Sequence, residues 1–122
     1  MRALDGGVQS IGEARKIALA FLDGAEPPVS HATTIDVLLA VSELVTNAVQ
    51  HAPGPCTLEL GVDAESVLVA VSDGTRTIPA PSAPRLIGQG GLGLHLLIAL
   101  AGEINTQVRE DGKTVSILVP HR

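Results

Sequence analysis

Aromatic side chains are almost missing from this sequence: Phe21 stands alone, with no Tyr and no Trp. Any core must therefore be assembled from Leu, Val, Ile and Ala, which supply nearly all of the 45% apolar content. Cysteine is as scarce. Cys56 is the single one, which excludes an internal disulfide framework and fits a reducing, cytoplasmic compartment. With nothing basic around it in sequence to lower its pKa, it reads as a packing residue. Positive charge is short as well: 8 Lys and Arg face 13 Asp and Glu, a net charge of −5. Nucleic acid, whose phosphates demand a basic surface, is not an expected partner. Long apolar runs are also lacking. The longest are interrupted by Asp36 and Glu43 or stop near ten residues, against the roughly 20 that a membrane span needs. Arg2 is followed by ALDGGVQS, so no secretory leader is expected, nor a membrane partner. His31, His95 and His121 are too scattered to make a metal set.

What is present suffices for one domain with a proper core in 122 residues. Residues 1–9 form an N-terminal arm with little pattern, either a short strand or a loose segment; a single domain fills 10–122. Ser10 and Glu13 read as a capping box opening a helix whose apolar residues are Ala14, Ile17, Ala18, Phe21 and Leu22. Gly24 and Pro27-Pro28 end it. A second helix starts near Thr33 or Thr34 and runs to about Ala52, where Pro53-Gly54-Pro55 stops it. Cys56, Leu58, Leu60 and Val62 alternate with polar or small residues as in a half-buried strand, and Val67–Val71 reads as a more central one. Residues 73–91 are one long loop, then Leu92–Ala101 an apolar helix closed by Gly102. Ile104–Arg109 and Thr114–Val119 make a hairpin around Asp111-Gly112. The expected fold class is α+β: a two-layer α/β sandwich, its sheet mixed but mostly antiparallel, with helices on one face.

Four segments carry chemistry. In SELVTNAVQHA (42–52), Glu43, Asn47, Gln50 and His51 share one helical face, opposite Leu38, Val41, Val45, Ala48, Val49 and Ala52. That wet stripe holds no Lys or Arg; a carboxylate one turn before an amide oxygen can position a water and a magnesium ion. Asp73 follows the central strand and precedes Gly74. A carboxylate there can accept from an exocyclic amine while glycine lets a flat base approach, although Asp-Gly is equally an ordinary turn. Gly88-Gln89-Gly90-Gly91-Leu92-Gly93-Leu94 runs into a helix, where exposed amides and the helix dipole favour phosphate oxygens. It is neither a Walker A nor a Rossmann turn. Gly112-Lys113-Thr114 opens the last strand, with Thr114 offering a hydroxyl near the sheet or simply serving as a strand residue.

In this order and spacing the set resembles the gyrase and histidine-kinase ATPase superfamily, with its Bergerat-type ATP-binding fold. SELVTNAVQHA resembles its N box, VSDG (71–74) its first glycine box, GQGGLGL (88–94) its second and GKTVSILVP (112–120) its terminal strand. The likeness runs from about Ala14 to Pro120 and is greatest to the stand-alone anti-sigma-factor serine kinases of bacteria. It implies ATP and Mg²⁺ as cofactors. It also implies Glu43 as general base, Asn47 as the magnesium ligand, and His51 packing beside the nucleotide. Asp73 and Gly74 would meet the adenine, with Thr114 helping through a water, and Gly90, Gly91, Gly93 and Leu94 would cradle phosphates. These roles are physically coherent: metal and helix amides neutralise charge while a carboxylate orients the nucleophile. The implied partners are a sigma factor or similar regulator and an antagonist phosphorylated on serine or threonine, and the apolar 92–101 helix could serve a homodimer. Two features depart from the pattern. The usual DxGxG reads DGTRT (73–77), and Gln89 stands where sporulation-type kinases often have arginine. The alternative reading is a non-catalytic nucleotide-binding interaction module that sequesters a transcription regulator. A sensor histidine kinase is not the expected reading, because residues 1–9 leave no room for a helix pair bearing a phosphoacceptor histidine.

Overall fold

Period-two burial organises the sheet. In the computed structural model, which describes residues 2–52, 54–75, 97–100 and 104–122, strand β3 (Ser66–Asp73) buries Val67, Val69, Val71 and Asp73 on one face. Strand β5 (Gly112–Pro120) buries Lys113, Val115, Ile117 and Val119 on the same face, and pairs with β3 from Ser66↔Pro120 to Asp73↔Lys113. Around this pair stand β1 (Arg2–Leu4), β2 (Cys56–Val62) and β4 (Asn105–Arg109), in the order β1-β2-β3-β5-β4. Every pairing among the described strands is antiparallel. Helix α1 (Gln9–Asp23) packs on α2 (His31–His51), and α2 lies across β3 and β5. This is the expected α+β class, a sheet with its helices gathered over one face.

Helix α2 is long and apolar enough, by length and composition, to cross a membrane. Val37, Ala40, Val41, Leu44, Val45 and Ala48 instead fill the core with Ala14, Ala18 and the buried sheet residues. Burying such an aliphatic side chain contributes about 1.5–3 kcal/mol, so a core this poor in aromatics is held by many modest terms. Leu97, in a helical stretch described over 97–100, is also fully buried there.

One open expectation is decided and two are corrected. Residues 2–4 of the arm are strand β1, paired with Cys56–Leu58 of β2. Ser10 is not a helix cap: α1 starts at Gln9 behind Val8, with no side-chain cap. The buried Ser10 hydroxyl donates to Asp5 (3.0 Å) and accepts from the Gly6 amide, tying the β1–α1 turn together. Asp5 also accepts from the Gly7 amide, and these bonds hold its carboxyl below the usual range. Helix α2 starts two residues before Thr33, because Ser30 is its cap and accepts from the Thr33 amide.

Candidate functional site

Chain connectivity brings three of the four chemical segments to one end of the sheet. Only residues 52–55 separate the end of α2 from Cys56, so the C-terminal half of α2 sits at the end of the sheet where β2 begins. Strand β2 runs antiparallel to β3 with Thr57 opposite Ser72, which sets Cys56 beside Asp73. The Cys56 thiol is pushed up chiefly by burial and further by the negative charges of Asp73 and Asp5. Glu43, Asn47 and His51 lie along that half of α2. Glu43 and Asn47 are half-buried one turn apart, and Gln50 and His51 are exposed. Burial raises the Glu43 pKa, and no ion pair among the described residues offsets it. A half-desolvated carboxylate with no cation is suited to take a proton from a hydroxyl. Among the described residues no group of three or more His, Cys, Asp and Glu could cage a metal. The oxygens of Asn47 and Glu43 fit a magnesium ion, which keeps most of its waters and phosphate ligands and asks little of the protein.

Asp73 ends β3 with its side chain 3% exposed, and Lys113, equally buried, donates to both of its oxygens at 3.0 and 2.8 Å. The Thr75 amide also donates to Oδ1. Gly112 makes this juxtaposition possible. Its φ is +157°, and a Cβ there would stand 2.0 Å from the Asp73 carbonyl oxygen. Gly74 next to Asp73 is exposed, and a Cβ added to it would meet nothing within 4 Å. Thr114 does not join Asp73. It faces the other side of the sheet, sharing a 2.8 Å hydrogen bond with Ser72 and accepting from Arg109. Gly90, Gly91, Gly93 and Leu94 lie outside the described residues.

Lys113 was absent from the sequence-derived set, although a signal existed. Counting back in twos from Val119, Ile117 and Val115 puts Lys113, not Thr114, on the buried face. The second buried carboxylate, Asp36, also escaped notice. Arg122 holds it bidentately at 2.6 and 2.7 Å, the Arg122 amide donates to Thr33, and Ser30 donates to the Arg122 carbonyl. That cluster is at the start of α2, away from the Glu43–Asn47 stripe.

Residues 7–119 match the histidine kinase-like ATPase domain family. The serine-protein kinase RsbW of Bacillus licheniformis is 31% identical over 100 residues, covering 67% of this chain and 62% of the relative. The chain thus spans less than two thirds of that relative's length. The RsbU and RsbW domains of Rv1364c from Mycobacterium tuberculosis superpose with a TM-score of 0.65 at 21% identity, covering 100% of this chain and 33% of that one. That likeness is one of fold. The histidine kinase domain of the Erythrobacter litoralis EL346 blue-light activated histidine kinase gives a TM-score of 0.58 at 26% identity, covering 97% and 66%.

Proposed function

The chain belongs to the histidine kinase-like ATPase domain family, and from that premise we propose an ATP-binding regulatory protein with serine/threonine-protein kinase activity. In this reading it is a cytoplasmic anti-sigma factor that holds a sigma factor or similar regulator and phosphorylates an antagonist protein. What supports the reading is the Glu43–Asn47 pair on α2, carried by the fold to the same sheet end as Asp73 and Gly74. Asn47 would hold Mg²⁺, Glu43 would take the proton of the attacking hydroxyl, and Asp73 would accept from the adenine amine while the base lies over Gly74. His51 flanks the nucleotide. Bound Mg²⁺ supplies charge neutralisation on the phosphates.

Calorimetric titration with ATP, with and without Mg²⁺, tests the site. Magnesium-dependent binding by the wild type, lost in a folded Asp73→Asn variant, is the expected result. No binding of ATP or ADP by the folded wild type would sink the reading. A Glu43→Ala variant tests the transfer step: it should bind nucleotide and partner yet phosphorylate nothing. If the wild type also transfers no phosphate to any antagonist, the protein is a nucleotide-binding interaction module. Light scattering at micromolar concentration decides whether the protein is a homodimer or a monomer.

A further inference from the structure

We propose that Lys113 is a specificity-determining residue of the base site, donating to ring nitrogen N1 of adenine while Asp73 accepts from the N6 amine. The proposal rests on the ATP-binding reading above. Lys113 sits directly opposite Asp73 in the β3–β5 register, on the same face of the sheet. Its ammonium is buried and spends two of its three N–H bonds on the carboxylate, leaving the third without an acceptor among the described residues. The carboxylate is unequally used as well. Among the described residues, Oδ1 accepts from both Lys113 and the Thr75 amide, whereas Oδ2 accepts from Lys113 alone. Among the described residues, one acceptor and one donor, 2.8 Å apart, are therefore each a hydrogen bond short.

Adenine presents the complement on one edge, an N6–H donor beside the N1 acceptor. A single edge satisfies both, without breaking the ion pair. Gly74 supplies the approach, since open space lies where its Cβ would be. Thr114 cannot take this part, because it points to the opposite face and is engaged with Ser72 and Arg109. A lysine at this place has a second consequence: the base meets a neutralised pair rather than a lone carboxylate, and the charge stays compensated whether or not nucleotide is bound.

The test is titration of the wild-type protein with Mg²⁺ and ATP, 1-deaza-ATP or 7-deaza-ATP. Loss of N1 should weaken binding by about tenfold or more, the scale of one buried charge-assisted hydrogen bond; loss of N7 should leave it unchanged. A folded Lys113→Met variant should bind ATP and 1-deaza-ATP alike, at the weaker level. Equal binding of ATP and 1-deaza-ATP by the wild type would overturn the proposal, with no variant needed. Tighter ATP binding by Lys113→Met would overturn it too, since the lysine would then compete with the base. If the folded wild type binds none of the three nucleotides, the ATP-binding reading itself fails.

Discussion

Two buried carboxylates, at opposite ends of the domain, are each matched to a cation, and they are built differently. Asp36 meets the Arg122 guanidinium in a planar two-bond fork, and the same arginine is tied through its backbone to Ser30 and Thr33. The guanidinium side is open, with 55% of the Arg122 side chain exposed. The cluster fastens Arg122 onto the start of α2 through its side chain and its backbone together. Asp73 and Lys113 are both 3% exposed and make one pair between them, with a donor and an acceptor position unused among the described residues. A half-wet pair tied in through its backbone holds a structure together; a dry pair with bonding capacity left over can also take a ligand.

Removing one partner should separate the two most sharply. Lys113→Met leaves Asp73 buried without a cation, and a loss of about 3–5 kcal/mol in urea unfolding is expected. Replacing both members with apolar residues should recover most of it. A single-variant loss no larger than that of Arg122→Ala would end the contrast. Next in size is Gly112→Ala, whose Cβ would collide with the Asp73 carbonyl at 2.0 Å. It should cost more than about 1 kcal/mol, and weaken ATP binding. Gly61→Ala, with its nearest contact at 3.8 Å, is the mild control in the same sheet.

Glu43 sharpens the comparison because it has burial and, among the described residues, no cation. Its folded pKa is raised above the ordinary 4.5, so the native state binds its proton more readily than the unfolded chain. The destabilisation is complete above the raised value, fades as pH falls through it, and is gone below 4.5. Glu43→Gln should therefore unfold at higher urea than wild type at neutral pH, with the gap closing on acidification. A gap independent of pH would assign the effect to packing instead. The smallest effect is expected at Arg122→Ala, where solvent screens the pair: a slight loss of stability that shrinks as salt is added.

Much of the architecture was legible because it is written at short range. Helical spacing marked α1 and α2, alternation marked β2, a short apolar run marked β3, and Asp111-Gly112 marked the β4–β5 hairpin. Ser10 shows how a correct local signal loses: its hydroxyl found Asp5, and the cap was forgone. The stripe of Glu43 and Asn47 could be read from α2 alone, and alternation could have placed Lys113 on the inner face. The partner of Lys113 could not be read that way. Asp73 lies 40 residues away and Asp36 lies 86 from Arg122, and each meeting depends on which strands neighbour one another and in what register. By itself the sequence determined periods and turns, because these depend on neighbours a few residues apart. Only the tertiary structure decided which charges share a dry space, because burial and strand order are properties of the whole chain packed together.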